Sequence, residues 1–246
     1  MQALAAVVPP PAEDHRIYAF AFGGNDKPHD FVDEETGMSM GLAVDVMREA
    51  CQQAGKNCVT VSSSACYDNT QQYSLGLNSR WYDVCGNYYH TVDRGRSYHF
   101  IGAYGQEPAA FIYAGKGSSI SSVDTASQKI GVHGSFWING ECLKRQGMKF
   151  KTVVIKNTFD DLKTALDNGD IDVAFLSESV ADGYKKLGSK ISCAKTGPAF
   201  MMRKDMANVM QWYDDAVRKV VASDDFKRMC SIAKKAYGGD PMCLEE

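Results

Sequence analysis

The sequence lacks long hydrophobic runs and clusters of positive charge. No run approaches the roughly 18–20 apolar residues that a membrane-spanning helix needs, so we predict no transmembrane segment. The apolar stretch ALAAVV near the start is too short and lacks a charged leader, and we expect that any export signal has been removed or replaced. The formal net charge of −3 is spread along the chain, which argues against a nucleic-acid partner.

Motifs that mark several enzyme classes are also absent. The chain has no HExxH, no phosphate-binding GxxxxGK[ST], no Ser/His/Asp series in the order of a catalytic triad and no CxxC pair. Zinc ligands usually come in close pairs, so the missing CxxC argues against a zinc site. We therefore expect neither a metal nor a cofactor.

Cysteine, by contrast, is abundant. The chain has 8 cysteines, and this even number without close pairs favours four disulfides in an oxidising compartment over buried free thiols in a cytosolic protein. Since 8 cysteines allow on the order of a hundred pairings, their number and spacing leave the connectivity open. The positions are Cys51, Cys58, Cys66, Cys85, Cys142, Cys193, Cys230 and Cys243.

Length and patterning predict two α/β lobes. The 246 residues suffice for two units of roughly a hundred residues each, and a hydrophobic fraction of 44% is typical of a globular chain. RIYAFAF at 16–22 predicts a strand, helical spacing follows from Gly41 to Gly55, and CVTVS predicts the next strand. The later segment NTFDDLKTALDNGDIDVAFLS repeats this order, with Thr158 as the predicted helix cap. We predict mostly parallel sheets flanked by helices.

The extended stretches PAAFIYAG at 108–115 and GPAFMMRK at 197–204 are predicted to cross between the lobes. The first lobe would then comprise residues 16–108 plus 200–246, and the second would comprise 109–199. Residues 1–15 are predicted to form a flexible N-terminal arm. The apolar stripes of the C-terminal helices are interpreted as core packing.

Four landmarks resemble those of the family 3 extracellular solute-binding proteins, periplasmic receptors for polar amino acids. They are ETGMSMGLAVDVMREA, TVDRGRSYHF, KIGVHGS and IDVAFLSES, and the likeness runs from about Ile17 to Gly238. The resemblance implies a two-lobe, type II periplasmic-binding-protein fold with two hinge crossings, outside the cytoplasm. It also implies a monomer that closes on a small amino acid or related solute and presents it to a membrane permease or sensor.

The resemblance extends to one cysteine pair. Cys51 and Cys58 match a bridged pair in the family's lysine/arginine/ornithine- and histidine-binding members. For the other cysteines we expect pairs that stay within one presumed unit. These are Cys66–Cys85, Cys142–Cys193 and Cys230–Cys243.

Arg94 is the main candidate for ligand binding. It matches the arginine of the family's T-x-E-R motif, which grips the ligand carboxylate, and its planar fork suits that geometry. The alternative is a surface ion pair with Asp93 or Asp83. Nearby candidates are predicted in a turn between a strand and a helix, where Thr91 either contacts the ligand or caps the helix. They are Asn87, Tyr88, Tyr89 and Thr91.

In the second lobe, GSFWING should begin a helix, and Ser135 matches the hydroxyl that helps a helix terminus bind the carboxylate in the family. Phe136 and Trp137 either line the cleft or belong to the core. Where the family has an aspartate for the ligand's ammonium, this chain has Ser177, with Glu178 next. A one-residue shift that brings in Glu178 would turn its side chain to the other face of the strand.

The loop KPHDF at 27–31 and the separate residue Tyr67 supply further candidates in the first lobe. Phe31 or Tyr67 would stack on the ligand, and Asp30 would meet a cation. With so many aromatic residues near predicted strand ends, a larger amino acid, a cationic solute or an aromatic acid fits better than glycine or aspartate.

Two other functions compete with that of a receptor. An enzyme on the same scaffold, such as a dehydratase, would need an acid or base in the cleft, for which Glu178, His90 and His133 are candidates. A ligand-sensing module of a signalling receptor is the third hypothesis. The missing catalytic motifs favour the receptor, and we predict that the protein is not an enzyme.

Overall fold

A computed structural model of the protein describes residues 16–23, 25–63, 66–68, 73–107, 109–134 and 137–244. The predicted N-terminal arm, residues 1–15, lies outside these ranges. In the part of the chain that the structure describes, the strands in chain order are β1 (Ile17–Phe22), β2 (Asn25–Asp26), β3 (Asp30–Val32), β4 (Ser39–Met40), β5 (Asn57–Ser62), β6 (Val84–Thr91), β7 (Tyr98–Ile101), β8 (Ala110–Ala114), β9 (Lys129–His133), β10 (Thr152–Lys156), β11 (Val173–Ser177), β12 (Lys185–Leu187) and β13 (Ala194–Arg203). The α-helices are α1 (Leu42–Gln53), α2 (Leu75–Asn78), α3 (Val92–Ser97), α4 (Gly140–Arg145), α5 (Phe159–Asp167), α6 (Gln211–Val221) and α7 (Asp224–Ile232).

Ten of these strands form two five-stranded sheets of the same construction, and β2, β3 and β4 form a small antiparallel sheet. The first has the order β5-β1-β6-β13-β7 and the second the order β10-β9-β11-β8-β12. In each sheet three neighbouring strands are parallel, and the fourth runs antiparallel to both of its neighbours. We call each sheet with its helices a lobe. The predicted α/β, two-lobe, mostly parallel architecture is confirmed.

Each sheet is buried on both faces, as parallel sheets require. In the first lobe, α1, α6 and α7 cover one face, where Phe20, Met47 and Tyr213 pack together. The other face buries Cys66, Tyr82 and Met201. In the second lobe, α4 and α5 lie over opposite faces of the sheet. Most of the apolar stripes of α6 and α7 therefore serve as core, as the sequence predicts, whereas Ile232 at the end of α7 is exposed.

Local signals correctly predicted the start of α5 and the end of α1. Thr158 caps α5 by accepting a hydrogen bond from the backbone N–H of Asp161 at 3.0 Å. α1 is followed by Gly55, whose φ of 62° lies in the left-handed region that favours glycine. None of the helices among the described residues is both long and apolar enough to cross a membrane.

The two stretches predicted to cross between the lobes are strands. Residues 110–114 form β8 of the second sheet, and β13 begins at Ala194, which lies opposite Thr91 of β6 in the first sheet. Residues 194–199, assigned to the second lobe from sequence, therefore pair with the first sheet. The connections between the lobes are the segments before these strands, of which the structure describes residues 102–107 and 109 in the first and 188–193 in the second.

The two connections are held together by Glu107. Its carboxylate accepts hydrogen bonds from the hydroxyl of Ser192 at 2.7 Å and from the backbone N–H groups of Cys193 and Ala194 at 2.9 and 3.0 Å. The chain's C-terminal tail joins them, because the backbone N–H of Gln106 donates to the carbonyl of Met242 at 2.6 Å.

Four disulfides join the pairs expected from the sequence, and their Cα atoms lie 5.5–6.3 Å apart. Cys51–Cys58 and Cys66–Cys85 lie in the first lobe. Cys142–Cys193 ties α4 to the second connection, and Cys230–Cys243 ties the tail to α7.

Candidate functional site

A cavity of about 410 Å³ lies between the lobes. In parallel sheets, ligands bind outside the carboxyl ends of the strands, and this cavity is built from segments that follow β1, β9, β10 and β11. The C-terminal tail supplies one further wall. The lining residues are Asp26, Lys27, Pro28, His29, Tyr89, Trp137, Phe159, Ser177, Ser179, Val180, Gly239, Asp240 and Met242.

Tyr89 and Trp137 join the lobes at this cavity. Their rings stack with centroids 4.7 Å apart and planes inclined by 29°. Both were candidates from sequence, and Trp137 serves as core and cavity wall at once, since it also packs into the core of the second lobe. Burial raises the pKa of the Tyr89 phenol, and the nearby carboxylate of Asp26 raises that pKa further. The phenol is therefore neutral and available for hydrogen bonding.

Arg94 is buried behind this wall. Its side chain is 5% exposed, and its guanidinium lies 5.0 and 5.1 Å from the ring centroids of Tyr67 and Tyr88. Nη1 donates a hydrogen bond to the carbonyl of Tyr89 at 3.1 Å. Burial lowers the pKa of Arg94, and it raises the pKa values of Tyr67 and Tyr88 to about 12. Arg94 is therefore not at the surface, as the alternative of a surface ion pair with Asp93 or Asp83 would require. Its guanidinium lies inside the protein between two tyrosine rings.

Asn87 organises a polar cluster in the first lobe. Its side-chain NH₂ donates to Asp26 Oδ2 at 2.8 Å and to Asp30 Oδ1 at 2.9 Å, and its Oδ1 accepts from the phenol of Tyr104 at 2.9 Å. Asp30 Oδ2 also accepts from the backbone N–H of Gly23 at 2.8 Å. Asp30 is thus buried in a structural network, while Asp26, four residues earlier, faces the cavity.

Asn87, Tyr88 and Tyr89 do not lie in a turn, contrary to the sequence-based expectation. They belong to β6, which continues to Thr91, and α3 begins at Val92. The strand is irregular here, because Asn87 has a φ of 61° and the register with β13 shifts on either side of Pro198 and Ala199. Thr91 is the N-cap of α3, where its hydroxyl accepts from the backbone N–H of Arg94 at 3.3 Å.

Three other candidates lie away from the cavity lining. Phe31 packs edge-on against Tyr237, with ring centroids 5.1 Å apart. Glu178 follows the end of β11 and forms an ion pair with Lys186, so it does not replace Ser177 in the cavity. Tyr67 belongs to the Arg94 cluster and is likewise absent from the lining.

Ser177 lines the cavity, where its hydroxyl lies 3.0 Å from that of Ser179. Ser135 and Phe136 lie outside the described residues. The helix predicted from GSFWING begins later, at Gly140, with Asn139 as its cap, so Trp137 precedes the helix.

Sequence reasoning missed several cavity residues. His29 is next to the predicted Asp30 but was not itself predicted. The loop that carries it is fixed because the carbonyl groups of Pro28 and His29 accept hydrogen bonds from the first N–H groups of α1. No local pattern in the sequence indicates these bonds. Asp240 and Met242 are more than two hundred residues from His29 in the chain, and only the tertiary structure brings them together. Phe159 at the start of α5 packs against the core of the second lobe and also lines the cavity.

A second cavity, of about 470 Å³, lies in the second lobe and is lined by residues such as Ile112, Val123 and Ile191. Its walls come from the second lobe and the second connection, and none of its lining residues directly follows the parallel strands β9, β10 or β11. We therefore take the cavity between the lobes as the candidate site. The described residues contain no group of three or more His, Cys, Asp or Glu side chains suited to a metal ion.

Comparison with solved structures finds the same fold in solute-binding proteins. The arginine transport system periplasmic binding protein of Legionella pneumophila is 18% identical with a TM-score of 0.63, over 87% of this chain and 97% of that chain. A Salmonella typhimurium periplasmic binding protein with high arginine specificity is 20% identical with a TM-score of 0.62, over 88% and 98%. A histidine kinase sensor domain similar to periplasmic binding proteins is 16% identical with a TM-score of 0.66, over 88% and 95%.

No curated protein sequence matches the chain. The profile of the bacterial extracellular solute-binding proteins, family 3, matches residues 19–235, which is most of the chain. The match agrees with the fold, with the cavity between two lobes and with four disulfides suited to an oxidising environment. The chain therefore belongs to the bacterial extracellular solute-binding proteins, family 3.

Proposed function

We propose that the protein is a monomeric receptor that binds a small molecule with a carboxylate and an amine in the cleft between its lobes. The observation that carries this proposal is the cavity of about 410 Å³, whose walls come from both lobes and from the tail. Such a volume suits a small molecule, since ligand pockets usually measure about 300–1,000 Å³. Closure of the lobes would present the ligand to a membrane permease.

Contacts between the lobes support closure as part of the mechanism. Besides the stack of Tyr89 on Trp137, Arg145 of α4 donates to Asp93 of α3 at 2.7 Å. Both contacts lie where an opening of the lobes would separate them. A ligand that touches both walls would add to these contacts and shift the population towards the closed form.

Arg94 is proposed to provide the positive charge for the ligand's carboxylate. Its desolvation is costly, and an anionic group of the ligand would offset that cost with charge-assisted hydrogen bonds. The guanidinium reaches the cavity wall through its hydrogen bond to the carbonyl of Tyr89. Movement of the Tyr67 and Tyr88 rings would expose the guanidinium to the ligand.

The aromatic walls and carboxylates of the cleft suit a ligand with a cationic group. Two structural relatives are an arginine transport protein and a receptor with high arginine specificity, so arginine and its analogues are the first compounds to test. The acid–base candidates of an enzyme do not favour catalysis in this cavity, because Glu178, His90 and His133 do not line it. We therefore propose a binding function without catalysis.

A thermal-shift screen with amino acids, amines and small carboxylates tests the proposal. A ligand at a hundred times its Kd should stabilise the protein by about 2.7 kcal/mol. Arg94→Ala should lose most of this stabilisation, and Arg94→Lys should recover little of it because lysine lacks the planar fork.

Arg96→Ala is the matched control, since Arg96 lies on the same helix with a side chain that is 74% exposed. If no compound stabilises the protein, the receptor function is refuted. If Arg94→Ala binds the ligand as tightly as Arg96→Ala does, the role of Arg94 is refuted.

A further inference from the structure

The C-terminal tail is built into the cleft. Gly239 packs closely against Pro28. A Cβ added at Gly239 would lie only 3.2 Å from Pro28 Cδ. Beyond it, the carbonyl of Met242 accepts from the backbone N–H of Gln106 at 2.6 Å, and Cys243 is bonded to Cys230 of α7. These anchors on both sides of Asp240 hold it at the cavity next to the loop that carries His29.

The acidic groups at the cavity come from opposite ends of the chain. Asp26 and Asp240 both line the cavity, and each acts electrostatically on His29, so the imidazole lies near both carboxylates. Against these two carboxylates the lining contributes one ammonium, that of Lys27, whose Nζ lies 4.9 Å from the centroid of the Phe31 ring. This wall therefore has a negative field that favours a cationic ligand group.

His29 supplies a second and independent indication of a ligand. Its side chain is 6% exposed and lines the cavity, and its Nδ1 has no hydrogen-bond partner among the residues that the structure describes. Buried polar atoms normally have partners, so such a group needs an explanation. Burial lowers the pKa of His29, which keeps the imidazole neutral and leaves it one nitrogen that can accept a hydrogen bond.

We propose that Asp240 binds an amine group of the ligand together with the carboxylate of Asp26 and Nδ1 of His29. An ammonium has three N–H donors, and these three groups offer it two charged acceptors and one neutral acceptor. The hydroxyl of Ser177 and the rings of Tyr89 and Trp137 line the same cavity. The C-terminal tail thereby determines specificity, although it lies far from the other site residues in the sequence.

This inference rests on the proposed receptor function, and the test separates the two. L-Lysine is compared with L-norleucine, which lacks the side-chain ammonium, and with 6-aminohexanoate, which lacks the α-ammonium. Affinities for wild type, Asp240→Asn and Asp224→Asn are measured by calorimetric titration. The carboxylate of Asp240 accepts from the backbone N–H of Met242 at 2.9 Å, and an asparagine amide oxygen can keep this bond. Asp240→Asn therefore removes the charge and preserves the tail.

Wild type is expected to prefer lysine at least tenfold over one of the two analogues. Asp240→Asn should reduce that preference about tenfold. A reduced preference over norleucine would show that the subsite holds the side-chain ammonium, and a reduced preference over 6-aminohexanoate would show that it holds the α-ammonium. Asp224→Asn should leave the preference unchanged, because this side chain is 96% exposed on α7 and pairs with Lys227. Both variants carry the same change in net charge.

Two results would overturn the inference and leave the receptor function intact. One is a wild-type protein that binds a small acid without an amine more tightly than lysine. The other is a variant Asp240→Asn with the same preferences as Asp224→Asn. If wild type binds no compound of the wider screen, the receptor function itself fails, and the amine subsite fails with it.

Discussion

Replacement of Glu107 tests whether one carboxylate joins the two connections between the lobes. Glu107 lies on the first connection, and three groups that donate to its carboxylate lie at the end of the second, on Ser192, Cys193 and Ala194. Lys190 of the second connection also lies 3.8 Å from this carboxylate. The Glu107 side chain is only 14% exposed. In a variant without this carboxylate, water can therefore accept hydrogen bonds from its former partners only in part. Glu107→Ala would leave two backbone N–H groups without their acceptor.

The expected loss of stability follows from these three bonds. A hydrogen bond to a charged group contributes about 1.5–3 kcal/mol, and water recovers part of that energy in a partly exposed site. We expect Glu107→Ala to lower the free energy of unfolding by about 2–4 kcal/mol. In a chain of this size that corresponds to a decrease in Tm of roughly 4–16 °C.

Urea denaturation and thermal unfolding measure this loss directly. Glu141→Ala is the control, because its carboxylate is 61% exposed and pairs with Lys144 on the same helix. Such surface pairs contribute about 0–1 kcal/mol. Glu107→Gln, which keeps one acceptor oxygen without the charge, should fall between the two. Equal unfolding free energies for Glu107→Ala and Glu141→Ala would refute the role assigned to Glu107.

Further predictions concern the tail, the close approach of β13 to the first connection and the response to pH. Replacing both Cys230 and Cys243 by alanine opens a loop with a sequence separation of 13 and should cost about 3 kcal/mol in urea denaturation. Gly197→Ala should lower the Tm strongly, since its Cβ would lie 1.8 Å from the carbonyl oxygen of Gly105. Burial lowers the pKa of His29 below 6.5, so the unfolded chain binds the proton first as pH falls. The free energy of unfolding should therefore decrease as pH falls below about 6.5, and less so in His29→Gln, as denaturation at a series of pH values will measure.

Each of these predictions has its own control. Removal of the Cys51–Cys58 bridge, with a separation of 7, should cost less than removal of Cys230–Cys243, and the reverse order would contradict the loop argument. Gly140→Ala should be tolerated, because the nearest atom to its Cβ would be 3.8 Å away. A pH dependence that is the same in wild type and His29→Gln would show that His29 does not contribute to it.

The elements of the fold were predictable because their signals are local. The helix α1 with Gly55 after it, the cap at Thr158 and the strand β1 each follow from the spacing and chemistry of a few neighbouring residues. The ends of β6 and the start of α4 were less well predicted. In β6 the pairing with β13 extends the strand across Asn87, and that pairing is not visible in the local sequence.

The sequence by itself determined the alternation of strands and helices, the similarity of the two lobes and membership of the family. It also indicated that Arg94 and Tyr89 belong near the site. Only the tertiary structure decided that Tyr67 and Tyr88 enclose Arg94 and that Asp240 faces the cleft beside His29. The physical reason is that short-range patterns fix secondary structure, whereas a cleft forms from side chains that chain topology and a disulfide bring together from distant positions.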